Sequence, residues 1–183
     1  MALARMIKFV TMEHIKTLMN AFIESQFSHC PLVWMFCPSR KLNNRINHIQ
    51  ERGLRIVYND YVSSFTDLLA KNGSVTIHHR NIHLVAILMF KVKNAMCPEI
   101  VRDLFHLNTN PNVNKTFFIP HIKTEYMGKQ SLSYFGPVVW ETMLPKELKS
   151  INQLEKFKES IKKWVPVCKC RLCKSYVANV GFI

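Results

Sequence analysis

Apolar residues recur at helical spacing along most of the chain. Ile15, Leu18, Met19, Phe22 and Ile23 predict one helix running toward Cys30-Pro31, where proline ends it. Pro38-Ser39 marks a break, with Ser39 as an N-cap. Leu42, Ile46, Ile49, Gly53, Ile56 and Val57 then form an apolar stripe over about four turns. Ser64 predicts the cap of a short helix over 65–70, closed by Asn72-Gly73. A longer helix is expected over 77–95, started by Ser74 or Thr76. It is apolar on most faces between 84 and 90, the pattern of a buried centre. Pro98-Glu99 opens a short helix to Phe105, with proline in the first turn.

The pattern changes after His106. Residues 108–114 form a polar, Asn-rich loop, which places a boundary between a helical domain over 1–107 and a C-terminal subdomain over 108–183. Residues 115–120 suggest a short strand that Pro120 confines to an edge. Residues 131–140 are aromatic-rich and interrupted by Gly136-Pro137. Pro145 precedes a last amphipathic helix with Ile151, Leu154, Phe157, Ile161 and Trp164 on one face, stopped by Pro166. The expected fold is mainly α: a helical bundle, then a small irregular subdomain with a cysteine-containing tail.

Charge narrows the function. The chain has 183 residues and a formal net charge of +13, and a charge of that size favours a polyanionic partner. Asp60, Asp67 and Asp103 are the only aspartates and lie in separate contexts, which disfavours a two-metal phosphoryl-transfer site. The longest apolar run, 84–90, has seven residues, short of the roughly 20 a membrane span needs. Arg5 and Lys8 break the N-terminal apolar run, so no secretory signal is visible. The six cysteines are expected to be reduced thiols in the nucleus or cytoplasm.

Three constellations carry candidate chemistry. Arg45, His48, Arg52 and Arg55 share a helix face and suit a phosphate backbone, the guanidinium forks bidentately. An ordinary solvated face is the competing reading. Between 146 and 174, nine basic residues oppose three glutamates. Lys158, Lys162, Lys163, Lys169, Arg171 and Lys174 are the anion-facing candidates there. In the tail, Cys168, Cys170 and Cys173 follow C-x-C-x-x-C spacing and supply three of the four ligands structural zinc takes. The fourth would come from Cys30, Cys37, Cys97 or a distant histidine; three unmetallated thiols are the competing reading. His78, His79 and His83 lack an H-E-x-x-H pattern and read as surface or buried hydrogen-bonding residues. Trp34, Phe36, Phe135, Trp140 and Trp164 are expected in the core rather than on bases.

Several stretches together resemble one family. Phe22-Ile-Glu-Ser-Gln-Phe-Ser-His-Cys-Pro-Leu-Val-Trp-Met35, Leu42-Asn-Asn-Arg-Ile-Asn47 and Glu51-Arg-Gly-Leu-Arg-Ile-Val-Tyr58 resemble the region downstream of the polymerase core in jockey-like non-LTR retrotransposon reverse transcriptases. Ile77-His-His-Arg-Asn-Ile82, Phe135-Gly-Pro137 with Trp140, and Cys170-Arg-Leu-Cys173-Lys-Ser-Tyr176 with Val180-Gly-Phe-Ile183 are similar to the same region. The resemblance covers nearly the whole chain and implies a helical thumb followed by the C-terminal tail. The palm's paired aspartates have no counterpart, since no Asp-Asp occurs, so the family's catalytic residues have no positions here. In the family, thumb-like helices would grip the primer–template duplex, which carries over to Arg45, Arg52 and Arg55. The family's tail is described as a cysteine-rich nucleic-acid-binding segment.

The resulting expectation is a truncated, non-catalytic reverse transcriptase fragment that binds RNA, DNA or an RNA–DNA hybrid without sequence preference. Zinc is the one cofactor suggested, and neither a membrane nor a small-molecule substrate is expected. The alternative is a structural or interaction fragment, or a decayed mobile-element product without a selected function.

Overall fold

The computed structural model describes residues 9–35, 40–108, 115–124, 128 and 131–166. The protein is mainly helical and divides into two compact units, residues 1–80 and 81–183. Most of the Asn-rich loop over 108–114 lies outside the described residues, as does Ser39, the expected N-cap.

In the first unit, α1 (Met12–Met19) continues through a widened π-helical turn (Asn20–Glu24) into α2 (Ser25–Ser28). Cys30 then adopts a left-handed conformation with φ 43°, and Pro31 starts the single turn α3 (Pro31–Trp34). The long helix α4 (Arg40–Tyr58) follows, then α5 (Phe65–Asn72). Ile15 and Met19 from α1, Leu54, Ile56 and Val57 from α4, and Leu68 and Leu69 from α5 form one core. Each such side chain contributes roughly 1.5–3 kcal/mol by leaving water.

The α5 boundaries follow from local chemistry. The Ser64 Oγ accepts the Asp67 N–H, and the Asp67 carboxylate accepts the Ser64 N–H, a reciprocal capping box. Gly73 ends the helix at φ 63°, a conformation that costs glycine nothing. The helix runs two residues beyond the expected 65–70, into Asn72.

On α4 the apolar stripe is only half right. Gly53, Ile56 and Val57 are buried, but Leu42 and Ile49 are 48% and 38% exposed. The inward face at the N-terminal end carries Asn43 and Gln50 instead, both buried. Polar side chains occupy core positions there because Gln50 finds backbone partners. Its amide donates to the Val75 carbonyl at 3.1 Å and its carbonyl accepts the Ile77 N–H at 3.2 Å.

Helix α6 (Ile77–Lys93) begins in the first unit, and its residues from 81 onward belong to the second. There Ile82, Val85, Ala86, Met89, Phe90 and Val92 are buried, as the apolar run predicts. α7 (Glu99–Arg102) is a single turn. Instead of a strand over 115–120, one antiparallel bridge joins Leu107 and Phe117.

Gly136-Pro137 does not interrupt the aromatic segment. α8 (Leu132–Val138) runs through it and leads into a π-helical turn (Val139–Met143). A proline inside a helix removes one hydrogen bond and crowds the preceding turn, and the widened turn follows directly. The last amphipathic segment is two helices, α9 (Lys146–Lys149) and α10 (Leu154–Lys163), and α10 ends before Pro166. Phe90 stacks on Phe157 at 4.5 Å between centroids, and Trp140 meets Phe117 edge-on at 5.9 Å. Offset and edge-on ring pairs of this kind add about 0.5–1.5 kcal/mol beyond area burial.

Candidate nucleic-acid interface

Helix α4 has one face anchored and one face open. Leu54 and Val57 pack in the core and Gln50 is tied to the 75–77 backbone, so the opposite side is held outward. Arg45, His48 and Arg52 lie exposed on that side. Lys41 joins them, and the spacing i, i+4, i+7, i+11 puts the four on one face. From Lys41 to Arg52 the rise is about 16 Å, enough to track a few phosphates of one strand.

The fourth expected member, Arg55, is placed differently. Its Nη2 and Nε donate to Glu51 Oε1 at 2.7 and 3.2 Å, and its Nη1 donates to the Asp60 carbonyl at 3.4 Å. It is half-buried and committed to the fold. His48 Nδ1 lies 3.3 Å from the other oxygen of Glu51. Lys41, Arg45 and Arg52 have no carboxylate within ion-pair distance among the described residues. Lys41 was missed as a site residue although its spacing was readable.

In the second unit, α10 buries Phe157 and Ile161 and leaves Lys162 and Lys163 exposed. Lys158 pairs with Glu155 at 2.8 Å, one turn away, so it is partly neutralised. Lys169, Arg171 and Lys174, with Cys37, Cys168, Cys170 and Cys173, lie outside the described residues. Among the described residues no group of three or more His, Cys, Asp or Glu is placed to hold a metal. Cys30 is an exposed free thiol and Cys97 a half-buried one.

The remaining candidates are structural. His83 is buried, and its Nε2–H donates to the Trp164 carbonyl at 2.8 Å. Burial pushes its pKa below the ordinary 6.5, and the hydrogen bond to Trp164 opposes that shift. Phe135 and Trp140 are core residues. Trp34 is half-buried and donates to the His29 carbonyl at 2.8 Å. Phe36 lies outside the described residues.

A half-buried set of polar contacts joins Lys93, Glu141 and Lys149 in the second unit. The Glu141 carboxylate accepts the Phe117 N–H at 2.8 Å and lies 3.7 Å from Lys149 Nζ. Lys93 Nζ donates to the Lys149 carbonyl at 3.2 Å and sits 5.6 Å over the Trp140 ring. This carboxylate is paired, as burial requires, and has the geometry of a brace rather than of a reacting group.

No helix among the described residues is long and apolar enough to cross a membrane. Comparison with family models, with curated proteins and with solved structures gave no match.

Proposed function

We propose that this chain is a non-catalytic, nucleic-acid-binding thumb-and-tail segment of a non-LTR retrotransposon reverse transcriptase. The observation that carries the reading is the open face of α4. Lys41, Arg45 and Arg52 stand exposed, with no carboxylate partner among the described residues, on a helix whose other side is fixed in the core. Net charge of +13 and the exposed Lys162 and Lys163 support it. The partner is RNA, DNA or their hybrid, held through its backbone and therefore without sequence preference. The absence of any Asp-Asp pair from the sequence supports the non-catalytic assignment. Zinc on Cys168, Cys170 and Cys173 is part of the proposal and rests on their spacing alone.

The test is binding of the purified chain to a short RNA–DNA hybrid across a salt series, with zinc present and then chelated. Micromolar or tighter binding with a steep salt slope is expected. An absence of binding at low salt would sink the reading, and strand synthesis by this chain would sink the non-catalytic assignment.

A second reading is an interaction fragment, favoured by one observation in the second unit. Ile100 is 78% exposed, and Met96 and Leu104 are each about half exposed. Apolar surface of this kind favours association. A monodisperse monomer at high concentration would count against it.

A further inference from the structure

The loop that leaves α4 has a rigid base and an apolar tip. Asn59 ends the helix in a left-handed conformation, φ 48°. Asp60 then organises the turn. Its carboxylate accepts the Val62 N–H at 3.2 Å, the Ser63 N–H at 3.0 Å and the Ser63 hydroxyl at 2.7 Å, and lies 3.8 Å from Lys71 Nζ. The Asp60 N–H donates to the Arg55 carbonyl at 3.1 Å. Between these anchors Tyr61 is 64% exposed and Val62 98% exposed.

Single exposed apolar residues are ordinary and need no explanation. This pair differs because so many hydrogen bonds hold it in place while the side chains pack on nothing that hides them. These bonds fix the backbone on either side of the ring, so the loop itself has little ordering left to lose on binding. The tip is also tied to the cation face. His48 contacts Glu51, Glu51 holds Arg55, and the Arg55 guanidinium reaches the Asp60 carbonyl. Arg55 and Glu51 thus brace the loop on the side of α4 that carries His48 and Arg52.

We propose that Tyr61, with Val62 beside it, is a base-stacking tip for the nucleic acid whose backbone lies along Lys41, Arg45 and Arg52. The ligand is an unpaired or terminal base next to the held segment. Every base has a π face, so stacking of this kind adds affinity without sequence preference. The phosphate-binding cations supply the charge complementarity that brings the strand to the tip. The inference rests on the nucleic-acid reading of α4 and adds a contact that reading does not contain.

The experiment uses the full chain and an RNA–DNA hybrid carrying 2-aminopurine in a short single-stranded overhang. Quenching of the 2-aminopurine emission on binding is expected. Tyr61→Ala should abolish the quenching and weaken binding about tenfold at unchanged salt slope, and Tyr61→Phe should restore both. The exposed position leaves the fold intact, which far-ultraviolet circular dichroism checks. Salt-dependent binding without quenching, equal for wild type and Tyr61→Ala, would overturn the tip and leave the α4 reading standing. No binding to any hybrid would overturn both. Binding to phosphatidylserine vesicles that Tyr61→Ala and Val62→Ser weaken, with the 2-aminopurine signal unmoved, would assign the tip to lipid and overturn the proposal.

Discussion

The side-chain carbonyl of Gln50 accepts the backbone N–H of Ile77, 27 residues away, at 3.2 Å. Ile77 is the first residue of α6, so its N–H has no partner within its own helix. Gln50 therefore caps α6 from α4, while Thr76 Oγ1 accepts the His79 N–H from within the same turn. Gln50 is 2% exposed, so both of its bonds are made away from bulk solvent.

Replacing Gln50 by leucine keeps the volume and removes both hydrogen bonds. The Ile77 N–H and the Val75 carbonyl would be left unsatisfied, at a cost of about 1–3 kcal/mol each before relaxation. Gln50→Glu can still accept from Ile77 but turns a carboxylate oxygen toward the Val75 carbonyl, so it should also destabilise. Urea unfolding of the two variants checks this. A Gln50→Leu variant as stable as wild type would show that the cap contributes nothing.

This residue also shows where the sequence was legible and where it was not. Ser64 and Asn72-Gly73 announced α5 because an N-cap and a left-handed cap are local chemistry, written within ten residues, and the structure adds Asp67 as the second half of a capping box. The buried centre of α6 was legible because an all-round apolar run has only one place to go. The inward face of α4 was not. Hydrophobicity pointed to Leu42 and Ile49, whereas Asn43 and Gln50 are buried, with the Gln50 partners 25 and 27 residues on. Gly136-Pro137 read as a break because proline removes a helix hydrogen bond, whereas the helix runs through it into a widened turn whose Val139 and Trp140 are buried. At the site, the exposed positions of Arg45, His48 and Arg52 agree with the periodicity. The withdrawal of Arg55 depends on Glu51 and on the loop at Asp60, which helical spacing alone does not reveal.

Arg52 and Arg55 should separate binding from stability. Arg52→Ala removes an exposed cation and should lower the salt slope for nucleic-acid binding by about one, with stability changed by less than ~0.5 kcal/mol. Arg55→Ala breaks the pair with Glu51 and the bond to Asp60, and should cost up to about 1 kcal/mol of stability with little change in slope. Salt titrations and thermal unfolding of both variants give the answer. An equal loss of slope would put Arg55 back on the binding face.

Two glycines should respond differently to a methyl group. A Cβ at Gly136 would meet Met89 Sδ at 2.6 Å and Phe105 Cε1 at 3.0 Å, in the core of the second unit. Gly136→Ala should therefore cost about 1–3 kcal/mol by overpacking. A Cβ at Gly53 would meet only Met19, Cε at 2.9 Å and Sδ at 3.1 Å, so this buried side chain must give by less than Met89 must at Gly136, with no ring beside it. In α4 the alanine also gains up to about 1 kcal/mol of helix propensity, so Gly53→Ala should be near neutral. Thermal unfolding midpoints test the ranking, and the reverse order would refute the packing argument.

His83 should make stability fall as the solution becomes acidic. Its ring is buried against Trp164, centroids 5.7 Å apart, and its Nε2–H donates to the Trp164 carbonyl. Desolvation lowers its pKa from the ordinary 6.5, so the folded protein holds it neutral where the unfolded chain would take up a proton. The unfolded state then binds more protons, and stability rises with pH through this window. The contribution is complete above about pH 6.5 and declines as pH falls toward the lowered folded value. Asp60 acts in a separate window: the Ser63 backbone N–H, before its other partners, lowers its pKa from 3.8 to about 2, so its contribution is lost only as pH falls through that range. His83→Gln keeps a donor for the Trp164 carbonyl without a titrating group. It should flatten the decline in urea midpoint between about pH 7 and pH 5 and leave the steeper acid limb unchanged. If the variant loses stability over that interval as steeply as wild type, His83 is not the group responsible.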